Sequence, residues 1–229
     1  MSARRLILGT AQFGLSYGIS NDSGRVGRDE VAAILSLASA AGVAGLDTAA
    51  AYGDSEEVLG SMAASRPFAI TTKTLPVRAS TLSRADVGRV EEAFRRSLRL
   101  LNRPAVDALL VHDADDLLVD GGERLWESLE RFRREGVAGR IGVSVYDGAQ
   151  IAAVTAKYPI DVVQLPINAL DQRLLADGSL AHLRAQGTAV QARSAFLQGL
   201  MLMAPSAVDA KLPRATAAIE RWRRACDAA

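Results

Sequence analysis

Short apolar runs alternate with longer amphipathic stretches along the whole chain, and this alternation predicts strands followed by helices. Seven runs have the length and composition of buried strands. They are residues 6–10, 44–49, 68–73, 108–113, 140–146, 162–168 and 189–196. Because strands that alternate with helices are joined by right-handed crossovers, the pattern predicts a parallel sheet.

The stretches between these runs carry helix signals. Residues 30–42 end at Gly42, and glycine is typical of helix C-termini. Two N-termini have capping-box spacing, Asp54 with Glu57 and Asp147 with Gln150, and Ser83 is a third predicted cap. The longest helix should bury a stripe of apolar side chains spaced by three and four residues, namely Val87, Val90, Phe94, Leu98 and Leu101.

This order of elements predicts one α/β domain over residues 1–229, built as a (β/α)8 TIM barrel. The chain supplies seven strands, whereas such a barrel closes with eight, so two strand edges would stay unpaired. We therefore expect a barrel that lacks its eighth strand and C-terminal tail, truncated or incomplete at that end. The alternative is a natural short form whose gap a partner chain fills.

Composition excludes several classes of function. The chain has 229 residues, 49% of them hydrophobic, and a formal net charge of +1. Because basic residues form no concentrated stripe, nucleic acid and anionic membranes are not expected as partners. The single cysteine, Cys226, forms no internal disulfide, and no clustered ligands suggest a metal. With no signal peptide or membrane-spanning run, a cytoplasmic protein is predicted, of undetermined oligomeric state.

Four polar residues lie at or just beyond the ends of successive apolar runs: Asp47, Tyr52, Lys73 and His112. Each has an ordinary structural explanation when taken singly, as a packed tyrosine, a turn cap, a solvent-reaching lysine or a hydrogen-bonded core histidine. Together they favour an active site, because the carboxyl ends of barrel strands open onto the face where such enzymes carry their chemistry.

With these four residues in view, the chain resembles the aldo-keto reductases, NADP(H)-dependent carbonyl reductases built on the β/α barrel. Asp-Thr-Ala-x-x-Tyr-Gly is a specific signature when a strand ending in Lys and another ending in His follow it. The resemblance extends over almost the whole chain, through residues 9–14, 47–60, 71–73, 109–113, 139–146, 162–168 and 193–200.

The resemblance implies transfer of hydride between NADP(H) and an aldehyde or ketone. Tyr52 would be the general acid that protonates the developing alkoxide. Lys73 would lower the pKa of that phenol, and Asp47 would compensate the buried ammonium. His112 would orient and polarise the carbonyl group.

Cofactor contacts also come from the resemblance. Ser144 and Gln164 would bind the nicotinamide carboxamide, and Arg193 stands where many members carry a ring that stacks on nicotinamide. A preference for NADPH over NADH is inferred from the family resemblance alone, since no segment of the chain matches the family's 2′-phosphate-binding tail. Further predicted cofactor contacts are Thr10, Ser194, Phe196, Gln198 and Gly199.

Two other functions stay open from sequence: a nicotinamide-binding sensor or inactive shortened relative, and a Schiff-base lyase that uses Lys73. The carbonyl substrate is not identified. Its pocket is expected to be lined by residues 11–27, 74–83 and 114–122. The acidic residues 113–123 mildly disfavour a strongly anionic substrate.

Overall fold

The computed structural model describes residues 6–228, and within them seven strands form one sheet ordered β1 to β7 along the chain. All six neighbouring pairs are parallel, so the predicted fold class is confirmed. The strands are β1 Ile7–Gly9, β2 Gly45–Asp47, β3 Ala69–Lys73, β4 Val106–Val111, β5 Ala138–Ser144, β6 Val162–Pro166 and β7 Ala189–Arg193.

Helices separate the strands, and residues 6–228 contain ten of them. Three short ones, at 11–14, 173–176 and 205–211, had no predicted counterpart, and neither did the single 3-10 turns between elements. Their bounds are α1 Ala11–Gly14, α2 Arg28–Ala40, α3 Ser55–Ser61, α4 Arg84–Leu101, α5 Gly122–Arg134, α6 Gly148–Lys157, α7 Arg173–Ala176, α8 Ser179–Ala185, α9 Pro205–Lys211 and α10 Thr216–Asp227. None of the helices in residues 6–228 is long and apolar enough to cross a membrane.

The sheet curls into an incomplete barrel. Two hydrogen bonds cross its interior: Gln164 Nε2 donates to Asp47 Oδ1 at 2.8 Å, and Gln191 Nε2 donates to Thr71 Oγ1 at 3.2 Å. They connect β6 with β2 and β7 with β3, which a flat sheet would hold far apart. Within residues 6–228 no strand pairs with both β7 and β1, so the predicted gap is present.

Burial follows the position of each strand in the sheet. Central strands are covered on both faces, and Leu109, Val143 and Val163 are fully buried. At the two edges, by contrast, Ile7 of β1 is 40% exposed and Val190 of β7 is 42% exposed. This difference is expected of a parallel sheet whose interior strands lie between helices and a filled core.

Helix α4 buries the predicted apolar stripe. Val87, Val90, Phe94 and Leu101 are buried, and Leu98 is partly buried. Phe94 packs on Phe132 of α5 with ring centroids 4.8 Å apart. Such an aromatic pair contributes about 0.5–1.5 kcal/mol beyond the apolar area that it buries.

The predicted helix caps have different outcomes. Ser83 and Asp86 form a reciprocal capping box, and the Asp147 carboxylate accepts from the Gln150 amide. Asp54 is the N-cap residue of α3, as predicted, but its side chain makes no capping hydrogen bond, so the expected capping box with Glu57 does not form. Its carboxylate instead accepts from Arg25 Nη1 at 2.6 Å, a stronger donor than a helix amide.

Six of the seven predicted strands run one to three residues past their observed ends, and at β5 and β7 this misplaces an aromatic residue. β5 ends at Ser144, where the next residues turn and the Tyr146 amide donates to Gln150 Oε1 at 2.7 Å. β7 ends at Arg193 because Ser194 adopts a left-handed conformation with φ of +59°. Tyr146 and Phe196 therefore lie in loops above the strand ends.

Candidate active site

The four candidate catalytic residues lie at one end of the sheet. Asp47 and Lys73 are the last residues of β2 and β3, and His112 directly follows β4. Tyr52 lies in the turn between β2 and α3, where its amide donates to the Ala49 carbonyl at 2.9 Å. All four line a cavity of about 530 Å3.

Lys73 is at the centre of this group. Its side chain is 1% exposed, and Nζ lies 2.8 Å from both carboxylate oxygens of Asp47. Nζ also donates to the Thr48 carbonyl at 2.9 Å and lies 3.4 Å from Tyr52 Oη. A buried ammonium requires such compensation, because desolvation disfavours its charged form.

The pKa of Tyr52 differs from the sequence-based expectation. Burial and the Asp47 carboxylate raise the pKa of the phenol, Arg193 lowers it, and the balance is upward. The pKa of Lys73 is itself lowered by burial, against the opposing effect of Asp47. The Lys73 amine thus lies beside the phenol, as predicted, but the expected fall in the Tyr52 pKa is not found. The phenol holds its proton at neutral pH.

His112 faces Tyr52 edge-on. Their ring centroids are 5.9 Å apart, and the ring planes are nearly perpendicular. Burial is the largest effect on His112, followed by the Lys73 charge, and together they lower its pKa to about 4. His112 is therefore neutral at pH 7, and a neutral imidazole has one donor nitrogen and one acceptor nitrogen.

Buried hydroxyl groups support the turn that holds Tyr52. The Ser55 Oγ lies 3.0 Å from the Thr10 carbonyl oxygen and 2.9 Å from Thr10 Oγ1. Thr48 Oγ1 donates to Ser55 Oγ, and Thr10 Oγ1 donates to the Asp47 carbonyl. Thr10 is fully buried and its hydroxyl is engaged within the protein, which favours a supporting role over direct cofactor contact.

Helix α1 packs directly against the backbone of this turn. A Cβ atom at Gly14 would lie 1.9 Å from the Tyr52 carbonyl oxygen and 2.4 Å from the Ser55 amide nitrogen. Gly53 approaches from the other side with φ of +55°, and its Cβ would lie 2.4 Å from the Gly14 carbonyl oxygen. Because the obstacles are backbone atoms, an added methyl group must displace the Tyr52 turn.

Gly14→Ala is accordingly expected to cost about 1–3 kcal/mol of unfolding free energy, as overpacking usually does. It should also reduce turnover at least tenfold, because a misplacement of about 1 Å can cost a hundredfold in rate. Gly88→Ala is the matched control, since a Cβ at this exposed helix position meets nothing within 4 Å. Urea titration measures the unfolding free energy of both variants, and steady-state kinetics measures their turnover. Equal stability and equal turnover of Gly14→Ala and Gly88→Ala would contradict the prediction.

The predicted cofactor residues line the same cavity. Gln164 is 3% exposed, and its Nε2 donates to Asp47 Oδ1, which can only accept. Its Oε1 is buried without a hydrogen-bond partner among the described residues. Ser144 lies beside Gln164 in the parallel register of β5 and β6. A free acceptor next to a hydroxyl fits a carboxamide, which offers both a donor and an acceptor.

Arg193, at the end of β7, lies over the ring of Tyr146. The guanidinium carbon is 4.3 Å from the ring centroid, and Nη2 donates to the Val145 carbonyl at 3.0 Å. Two neighbouring loops meet beyond it, where Ser20 Oγ donates to the Gln198 carbonyl at 3.0 Å. A Cβ at Gly199 would lie 2.0 Å from Ser20 Oγ, so glycine permits this close approach.

All twelve sequence-predicted site residues contribute to the cavity lining, including Ser194 and Phe196. Sequence reasoning did not single out Gln12, Tyr17 or Tyr146, which also line it. The predicted loop 11–27 contributes five residues, whereas residues 74–83 and 114–122 contribute none; the five are Ala11, Gln12, Tyr17, Gly18 and Ser20. The sequence-based strand 140–146 ends at Tyr146, and the signal that places this residue in a loop is the Asp147 cap that follows.

Comparisons with known proteins identify the family and the fold. The family model described as the aldo/keto reductase family matches residues 5–217. A proposed aldo-keto reductase from Pseudomonas aeruginosa gives a TM-score of 0.68 at 24% identity, over 90% of this chain and 77% of that one. A Bombyx mori aldo-keto reductase in complex with NADP gives 0.59 at 24% identity, over 83% and 62%.

A third structure, the holo form of an aldo-keto reductase from Bacillus halodurans, gives a TM-score of 0.67 at 20% identity, over 86% of this chain and 64% of that one. At such identities the structural likeness shows the fold. None of the curated protein sequences compared with the chain matches it.

Proposed function

This chain belongs to the aldo/keto reductase family, and on that premise we propose that it transfers hydride between NADP(H) and an aldehyde or ketone, with Tyr52 as general acid. The proposal rests on two contacts of Lys73 Nζ, which lies 2.8 Å from Asp47 Oδ2 and 3.4 Å from Tyr52 Oη. These three residues lie beside the His112 ring in a cavity large enough for small ligands.

In the proposed reaction, Tyr52 Oη donates its proton to the carbonyl oxygen as negative charge develops there. Lys73 Nζ stabilises the resulting phenolate, and Asp47 holds that amine in place through both of its carboxylate oxygens. His112 contributes a ring nitrogen that orients the carbonyl oxygen toward Tyr52. Proton transfer from a positioned side chain of this kind contributes about 10²- to 10⁴-fold to a rate.

The cavity residues fit a nicotinamide cofactor. The unpartnered Oε1 of Gln164 and the Ser144 hydroxyl would hold the carboxamide, and Arg193 would lie against the ring. Ser194, Phe196, Gln198 and Gly199 would contact the remainder of the dinucleotide. When bound, the reduced cofactor supplies the hydride that the carbonyl carbon receives.

The Schiff-base alternative has less support. Lys73 Nζ is surrounded by the Asp47 carboxylate, the Thr48 carbonyl and the Tyr52 hydroxyl, and the side chain is only 1% exposed. A nucleophilic lysine needs a free, accessible lone pair. A sensor that binds the cofactor without turnover keeps one observation in its favour, the open sheet between β7 and β1 within residues 6–228.

A direct assay separates enzyme from sensor. Purified protein mixed with NADPH and a panel of aldehydes should consume the absorbance of the reduced nicotinamide, and NADH in parallel reports the cofactor preference. Calorimetric titration with NADPH gives binding independently of turnover. Binding of NADPH without its consumption across the panel would favour the sensor. A protein that neither binds nor consumes NADPH would be neither the reductase nor the sensor.

A further inference from the structure

Gln191 lies in the interior of the curled sheet, just below the active-site cavity. It belongs to β7, two residues before Arg193, and it does not line the cavity. The register of the sheet pairs it with Gln164 of β6, so the two amide side chains are cross-strand neighbours. Asp47 and Thr71 form the matching pair on the opposite wall, in β2 and β3.

Three hydrogen bonds join these four side chains across the interior. Gln164 Nε2 donates to Asp47 Oδ1 at 2.8 Å, and Gln191 Nε2 donates to Thr71 Oγ1 at 3.2 Å. The third bond connects the two amides, from Gln164 Nε2 to Gln191 Oε1 at 3.4 Å. Gln164 and Thr71 are both buried, so water competes little for these groups. A buried polar network of this kind holds its side chains in one arrangement.

The network uses both amide hydrogens of Gln164. A side-chain amide nitrogen has two hydrogens to donate, and here one goes to Asp47 and the other to Gln191. Because a carboxylate only accepts, the Gln164 amide cannot turn end for end without losing its bond to Asp47. Oε1 is therefore the one polar atom of this side chain left for a ligand, and within residues 6–228 it is buried without a partner.

Gln191 supplies the half of this constraint that Asp47 cannot. With Asp47 alone, the second amide hydrogen of Gln164 would be unsatisfied, and rotation about the broad terminal torsion would turn it toward the cavity. Gln191 Oε1 instead holds that hydrogen away from the cavity, and Thr71 fixes Gln191 in turn by accepting from its Nε2. The Gln164 amide then offers a ligand only an acceptor, which selects a ligand group with a hydrogen to donate.

We propose that Gln191 is a positioning residue for cofactor recognition, which holds Gln164 so that only Oε1 of its amide faces the nicotinamide carboxamide. The inference rests on the proposed function, since it takes the nicotinamide cofactor as a ligand of the cavity. Gln191 lies outside the cavity lining, so it acts through Gln164. Its loss should change how well the cavity distinguishes a carboxamide from a group that has no hydrogen to donate.

The test compares NADP+ with its 3-acetylpyridine analogue, in which a methyl ketone replaces the carboxamide and the rest of the dinucleotide is unchanged. Isothermal titration calorimetry gives both dissociation constants without turnover. The wild type should bind NADP+ at least about fivefold more tightly, because the analogue leaves the buried Oε1 of Gln164 without a donor. Gln191→Met keeps the length of the side chain but removes both polar atoms, and the preference for NADP+ should fall by at least about threefold.

Two further variants locate the effect. Thr71→Val should give part of the same fall, because Gln191 keeps its contact with Gln164 but loses its own support on β3. Gln172→Met is the matched control: it removes an exposed glutamine whose Nε2 donates to the Ala169 carbonyl outside the cavity lining. Its preference for NADP+ should stay within about twofold of the wild type, as for most surface substitutions.

The preference is a ratio measured within each variant, so a general loss of dinucleotide affinity cancels. A wild-type ratio near one overturns the inference. So does an unchanged ratio in Gln191→Met that has the native circular dichroism spectrum, and the proposed function then stands if NADPH is still consumed. If Gln191→Met does not fold, Thr71→Val decides by the same ratio.

Absence of binding of either dinucleotide to the wild type would overturn the proposed function, and the cofactor role of Gln191 with it. Urea unfolding of Gln164→Met, Gln191→Met and the double variant then shows whether the two amides act together. If they form one network, the second substitution should shift the unfolding midpoint by less than about half as much once the first is present. Additive shifts would mean that Gln191 does not hold Gln164 in the free protein either.

Discussion

Tyr52→Phe is expected to reduce kcat for carbonyl reduction by about 1,000-fold, within the range that a positioned general acid contributes. The substitution removes one oxygen atom and leaves the ring in contact with His112. Binding of NADPH should change by less than about threefold, because a hydroxyl that acts only on the developing alkoxide stabilises the transition state and not the ground state. Steady-state kinetics and calorimetry measure the two effects separately.

Tyr158→Phe is the matched control for loss of a phenolic hydroxyl. Tyr158 Oη donates to the Leu117 carbonyl at 3.1 Å, and the residue does not line the active-site cavity. Its loss should cost about 1 kcal/mol of unfolding free energy, as for a typical hydrogen bond, and leave kcat unaltered. Turnover by Tyr52→Phe close to the wild-type rate would remove Tyr52 from the mechanism, whatever its position.

The raised pKa of Tyr52 is consistent with a role as general acid and not as general base. A phenol with a raised pKa carries its proton at neutral pH but is a weak acid, so its proton transfer depends on stabilisation of the phenolate by the Lys73 amine. Reduction should therefore proceed without a titration of Tyr52 near neutrality. Lys73 then acts on the phenolate only as it forms, since it lies 3.4 Å from Oη while its own charge is shared with Asp47.

The fold could be predicted from sequence because its signals are local. Strands β4 to β6 are apolar runs buried on both faces, and α4 repeats its apolar residues with helical period. The ends of the strands were predicted less accurately than their positions along the chain. Ser194 stops β7 through a left-handed conformation, which residues other than glycine adopt only in a particular tertiary setting. Asp54 lost its capping role to a distant arginine, a contact that no local pattern contains.

The site was predictable where the strand ends bring residues together. Asp47 and Lys73 end consecutive strands and His112 follows the next. The register pairs Asp47 with Thr71 and Lys73 with Leu110, so each site residue lies two positions beyond its neighbour's partner and keeps the same face of the sheet. The direction of the Tyr52 pKa shift was not predictable, because it depends on how deeply the phenol is buried. Nor were the partners of the acidic loop, since Asp116 accepts from the backbone amides of Val77 and Arg78, a contact between segments distant in sequence.

Removal of Lys73 should have the largest effect on stability. In Lys73→Met the Asp47 side chain, 16% exposed, loses its cation, and breaking a buried pair in this way costs about 3–5 kcal/mol. In the double variant with Asp47→Leu no charge is left unpaired, so stability should return to within about 2 kcal/mol of the wild type. Guanidinium-induced unfolding followed by circular dichroism gives the coupling free energy.

The contrast with an exposed pair tests whether burial is the cause. Arg25 and Asp54 lie 2.6 Å apart with side chains 53% and 62% exposed, and Arg25→Met should cost less than about 1 kcal/mol. Because both ion pairs are short, an argument from distance alone would predict similar losses of stability for Lys73→Met and Arg25→Met. Additive effects of Lys73→Met and Asp47→Leu would mean that the two residues contribute independently. Lys73 would then lose its assigned role as the cation held by Asp47 beside Tyr52, while a large positive coupling supports the arrangement on which the proposed chemistry depends.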